Sequence, residues 1–219
     1  MYGHHSFQMA RLFKTTVHTN VEAIAIMLAT GLFGSSMLHG VFIVASFAVG
    51  TGLHLLAHWA VAIAFGKNID AMVLTRAGRI DYAGTEPGLL ENVLRTAAGP
   101  TTNLACALVG WAVLHHVDTT SWAPTLLLAV QTATTCSWIL TLVNFCPAVP
   151  LDGGLLLRAV LSALVPPNTA RRAAIVVSWT LMAVVAAYGV WVSQPVLIYL
   201  AVVMSYDNYM TEWRGLRSG

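Results

Sequence analysis

Charge is what this chain most lacks. Of its 219 residues only 9% are Asp, Glu, Lys or Arg, where a water-soluble domain carries about 25%. Hydrophobic residues make up 57% and the mean hydropathy is +0.72, which excludes a soluble globule and points to a polytopic membrane protein. A net charge of +2 is too small to attract nucleic acid. Cysteine is scarce as well. Cys106, Cys136 and Cys146 are odd in number, lie in apolar segments and form no C-x-x-C pair, so they read as small packing residues rather than a disulfide framework. The N-terminal "MYGHHSFQMARLFKTTVHTN" lacks the compact apolar core and small-residue cleavage site of a signal peptide. Insertion is therefore expected to rely on the first transmembrane helix.

Apolar sequence is what the chain has in quantity. A span needs about 20 predominantly apolar residues, and six segments qualify, at about 20–34, 37–65, 91–115, 122–145, 171–193 and 195–210. Between the second and third, the polar "GKNIDAMVLTRAGRIDYAGTEPG" alternates around 72–74 and 79–82, the pattern of a small surface hairpin. The stretch "NFCPAVPLDGG" breaks the fourth span's helical pattern, and a short helix at about 153–165 and a "PPN" breaker follow it. The expected fold is all-α, with about six transmembrane helices and that hairpin. An N-terminal tail covers 1–19, the membrane domain 20–212 and a C-terminal tail 213–219. All eleven Lys and Arg fall in connections that share one side, which by the positive-inside rule predicts a multi-pass cell-membrane protein with both termini cytoplasmic.

The stretch with most chemistry reads "TGLHLLAHWA", residues 51–60. His54 and His58 are four apart, so on a helix both rings leave one face. Two such imidazoles can hold one zinc ion. Two interior histidines hydrogen-bonded to neighbouring helices, or haem ligands, would read the same way. Ionisable residues at membrane depth carry a presumption of function because leaving them unpaired there is expensive. The second stretch is more specific: Asn144, Pro147, Pro150, Leu151, Asp152, Gly153 and Gly154. Its prolines and double glycine cannot continue a regular helix, and broken backbone at membrane depth belongs where it is buried in protein or lines a watery cavity. Asp152 there can be a third metal ligand or the cap of the helix starting at Gly153. The predicted orientation places His54, His58 and Asp152 all toward the cytoplasmic side.

With "AAGPTTN" opening the third span, "VHTN" before the first, and the string "N-x-x-P-x-x-P-L-D-G", the chain resembles the site-2 protease family over roughly residues 15–212. These are intramembrane zinc metalloproteases of the M50 type, and the six-span layout is similar to the compact sporulation-factor-processing branch. The resemblance implies that His54, His58 and Asp152 bind one zinc per chain. It implies that Asn144 positions substrate or stabilises charge, and that Gly99, Pro100 and Asn103 pack beside the site, with Asn103 as a polar neighbour. It also implies substrates that are transmembrane segments of other membrane proteins.

Leu55 departs from the pattern. In the family the matching position is a glutamate, the general base that takes a proton from the attacking water and returns one to the leaving amine. Leucine can do neither, and general acid–base catalysis is worth roughly 10²–10⁴-fold. Glu22, early in the first span, is a candidate substitute base, with snorkelling to the interface as its ordinary reading. Glu91 reads as a favourable charge at a helix N-terminus; Asp70, Asp81 and Glu86 read as solvated. His39, His115 and His116 fall at outer span ends and His4 and His5 in the tail. Three readings stay open. One is a zinc-binding homologue, impaired in hydrolysis, that binds a transmembrane partner or serves in a larger membrane assembly. Another is a working protease with a different base. The third is a metal-free membrane subunit in which His54, His58 and Asp152 hydrogen-bond to one another. The expected partners are a transmembrane helix and lipid, with an oligomer or larger complex compatible and nucleic acid excluded.

Overall fold

The computed structural model describes residues 6–12, 15–74, 79–83 and 87–210. Among these residues, four helices are long and apolar enough to cross a membrane: α2 (Met37–Ala64), α3 (Leu89–His116), α4 (Pro124–Phe145) and α6 (Pro167–Trp191). The other two expected spans are shorter. The first is α1 (Val21–Thr30), continued by a 3-10 turn over Gly31–Phe33, and the last is α7 (Pro195–Asn208). The short helix after the break is α5 (Asp152–Leu161). The protein is thus a multi-pass membrane protein whose membrane part is helical.

The N-terminal segment differs from its reading as a tail. Strands β1 (Ser6–Leu12) and β2 (Thr15–Asn20) join the expected hairpin, β3 (Asn68–Leu74) and β4 (Arg79–Ala83), in one four-stranded sheet of order β1-β2-β3-β4. β1 and β2 are antiparallel, as are β3 and β4, but β2 and β3 run parallel, Thr16 opposite Ala71 through Thr19 opposite Leu74. A parallel pair needs a long crossover, and α1 and α2 supply it. The helical pair therefore leaves the sheet and returns to it, which brings the end of α2 back beside the start of α1. Short-range alternation showed the hairpin; nothing local in residues 6–20 announces partners some fifty residues away.

The chain divides into two compact units, Met1–Glu86 with Ala98–Leu142, and Pro87–Ala97 with Val143–Gly219. In the first, α2 begins at Ser36, whose side chain accepts from the His39 N–H, and stops at Gly66. There φ is +72°, a conformation glycine adopts without strain. The Lys67 N–H reaches back to the Ala62 carbonyl at 3.0 Å, the closing bond of a Schellman-type stop. Helix α4 carries hydroxyls on Thr132, Thr134, Thr135, Ser137 and Thr141 along its middle and end. Each donates to the carbonyl four residues earlier, which satisfies them without a partner helix. In the loop after α3, Asp118 accepts from the Thr120 hydroxyl and amide, which hold its carboxyl below the ordinary value.

The second unit is built on α5, α6 and α7. Its core joins Ala148 and Leu151 from the broken stretch to Met182 of α6 and Ala201 and Met204 of α7. Pro167 sits in the first turn of α6 and Pro195 in that of α7, where a missing N–H costs no helical bond.

Candidate metal centre

His54 and His58 occupy successive turns of α2, and both are buried. Their rings meet edge to face, centroids 4.6 Å apart at 76°, with the two Nε2 atoms 2.9 Å apart. The side chains are therefore aimed at one point. Two imidazoles on a tetrahedral zinc, each at about 2.0–2.1 Å, hold their nitrogens roughly 3.3 Å apart. The observed pair comes within a few tenths of an ångström of that spacing.

What faces the two nitrogens is a missing side chain. Gly99 lies in α3 with Pro100 inside the same helix. A Cβ built on Gly99 would lie 2.5 Å from His54 Nε2 and 2.6 Å from His54 Cε1, and closer still to His58 Nε2. The absence of that one carbon is what lets α3 lie this close to the two ring nitrogens. Four residues on along α3, Asn103 is buried, 1% exposed, with its Nδ2 3.1 Å from His54 Nδ1. The first unit thus brings together His54, His58, Gly99 and Asn103. A pair of converging ring nitrogens, with a polar residue behind one ring, fits a metal ion.

Leu55 follows His54 on α2 and is half-buried. It adds no donor, acceptor or titratable group to the pair.

Asp152 and Asn144 belong to the second unit. Asn144 is the penultimate residue of α4 and half-buried. Asp152 is the first helical residue of α5; the cap position falls to Leu151, which makes no side-chain capping bond. The capping reading of Asp152 is thus replaced by one in which the carboxylate sits in the first turn, where it complements the helix dipole. The double glycine has a steric cause. A Cβ on Gly153 would strike the Phe145 and Cys146 carbonyls, and one on Gly154 the backbone of Ala148 and Val149. The broken stretch is folded back over the start of α5. The Val149–Pro150 bond is cis, and the buried Val149 N–H donates to Ser178 Oγ at 2.7 Å, while that hydroxyl donates to the Ala174 carbonyl. Ser178 anchors the strand of chain that ends at Asp152. A lone serine in an apolar span gave no spacing signal by which sequence could have found it.

Glu91 lies in the first turn of α3, as expected, buried and 3.7 Å from Arg95. His39 accepts from the Ser35 N–H at the start of α2, and His115 and His116 end α3, the first stacked on Trp111 and the second edge-on to it. The three cysteines are free. His4, His5, Glu86 and the 213–219 tail lie outside the described residues, and the side chains of Glu22, Asp70 and Asp81 do as well.

No protein-family model matches the chain, and no curated protein matches it. Among solved structures, the chain is similar to the Site-2 Protease from Methanocaldococcus jannaschii, with a TM-score of 0.69 at 18% identity over 95% of each chain. The chain therefore has a site-2-protease-like fold along almost its whole length.

Proposed function

We propose that this protein is a site-2-protease-like membrane protein that binds one zinc ion through His54, His58 and Asp152, is impaired in peptide hydrolysis, and acts by binding a transmembrane helix of another membrane protein. The observation that carries the metal reading is the convergence of His54 Nε2 and His58 Nε2 in front of Gly99. Two imidazoles and a carboxylate form a donor set that suits zinc with one position left open. When bound, the metal supplies Lewis acidity. The remaining chemistry rests on this chain's own side chains: His54 and His58 orient the centre, Ser178 and the double glycine hold the segment bearing Asp152, and Asn144 is proposed to orient substrate.

Leu55 supports the reading of impaired hydrolysis, because no group on it can accept a proton from an attacking water. A retained ligand set without a base favours recognition of a membrane helix over its cleavage. Placement in the cell membrane with cytoplasmic termini is part of the proposal, supported by the one-sided distribution of Lys and Arg.

The 2.9 Å hydrogen bond between the two rings also suits a metal-free subunit, and one measurement separates the two. Zinc is quantified per chain in detergent-purified protein alongside His58→Ala. About one zinc in the parent and none in the variant is the expected result. No zinc in either would overturn the metal reading.

A further inference from the structure

The Asn103–His54 contact fixes a direction of hydrogen bonding that metal binding must reverse. An amide nitrogen only donates, so with Nδ2 of Asn103 3.1 Å from His54 Nδ1, that ring nitrogen is the acceptor. The proton of the neutral ring then sits on Nε2, the nitrogen that lies 2.9 Å from His58 Nε2. In this arrangement His54 has no lone pair at Nε2 to offer. To become a ligand, His54 must carry its proton on Nδ1, and the group facing Nδ1 must accept it.

We infer, on the basis of the metal reading above, that Asn103 is the positioning residue of the metal centre and that its amide turns over when metal binds. Rotation about Cβ–Cγ exchanges Nδ2 for Oδ1, two groups of nearly equal size. The carboxamide then accepts from His54 Nδ1–H with no movement of α3 or α2. The oxygen locks the tautomer that bares Nε2 and holds the ring plane. Metal-ligating histidines ordinarily donate their second N–H to such an acceptor, and loss of it lowers metal affinity by roughly 10–100-fold. Asn103 suits the task because it is almost wholly buried: water cannot take over as acceptor, and the amide can serve either direction of bonding, as no single-function side chain can. Gly99, one turn earlier on α3, lies against the Nε2 side of the rings while Asn103 braces the other side of His54.

The test titrates the full-length protein in detergent with Zn²⁺ against a chromogenic chelator, and records the visible spectrum after loading with Co²⁺. Asn103→Leu keeps the volume but cannot accept; its zinc affinity is expected to fall roughly 10–100-fold, with an altered Co²⁺ spectrum. Asn103→Asp, which can only accept, is expected to stay within about threefold of the parent with the parent's spectrum. A merely structural Asn103 would give the opposite order, because a buried carboxylate disturbs an apolar surround more than leucine does. Parent-like zinc binding by Asn103→Leu overturns the inference while leaving the metal reading intact. So does an Asn103→Asp protein as weak as Asn103→Leu. A parent that binds no zinc overturns the metal reading itself, and this inference with it. Should Asn103→Leu fail to accumulate, the comparison of Asn103→Asp with the parent decides alone.

Discussion

Placing one carbon at Gly99 tests the centre more directly than removing a ligand. The Cβ of Gly99→Ala would stand 2.5 Å from His54 Nε2 and 2.6 Å from His54 Cε1, about 0.9 Å inside the distance at which such atoms normally touch. The obstacle is not the end of a flexible chain. Both rings are buried and one is braced by Asn103, so relief needs the rings to swing or α2 and α3 to part. Overpacking of that kind destabilises by typically 1–3 kcal/mol. It also presses directly on both Nε2 atoms, so zinc affinity is expected to fall by at least ~100-fold, about 2.7 kcal/mol. The matched control is Gly52→Ala on α2, where a Cβ would meet nothing within 4 Å and alanine favours the helix by up to about 1 kcal/mol. Zinc titration and thermal unfolding in detergent, run on both variants, read the two effects separately. Gly99→Ala binding zinc as tightly as the parent would show that the two Nε2 atoms beside Gly99 do not hold the metal, and the centre would have to be abandoned.

Other perturbations follow from the same geometry. Ser178→Ala leaves the buried Val149 N–H without its acceptor and is expected to destabilise the second unit by about 1–3 kcal/mol; an unchanged unfolding midpoint would mean the loop finds another anchor. Leu55→Glu restores a proton acceptor next to His54 and is expected to raise cleavage of a transmembrane reporter by roughly 10²–10⁴-fold. No gain over the parent would show that the missing glutamate is not what limits hydrolysis. His58→Ala removes one of two converging nitrogens and is expected to abolish stoichiometric zinc, as metal analysis of the purified protein would show.

Much of the helical layout was legible because each signal is short in range. Ser36 and Gly66 mark the ends of α2 by capping and a left-handed stop, and both effects act within a turn. The prolines and paired glycines of residues 147–154 announced a break for equally local reasons. The first and last expected spans came out as shorter helices, α1 and α7. Hydropathy reports whether a segment is apolar and not where its hydrogen-bonded helix stops. The strands at 6–12 and 15–20 were not legible at all, since their pairing with β3 depends on α1 and α2 returning the chain to the same place.

For the centre itself, the spacing of His54 and His58 is decided by the sequence, because 3.6 residues per turn puts positions four apart on one face whatever surrounds them. So is the lack of a titratable group at Leu55, which follows from the chemistry of the side chain alone. That Gly99 lies against the two nitrogens, and that Asn103 stands behind His54, are decided only in the tertiary structure. Both sit on α3, 41 to 49 positions along the chain from the histidines. Helical periodicity predicts the face each residue occupies and carries no information about which face of another helix it will meet. That is set by how closely α2 and α3 can approach, and a single absent Cβ sets the approach.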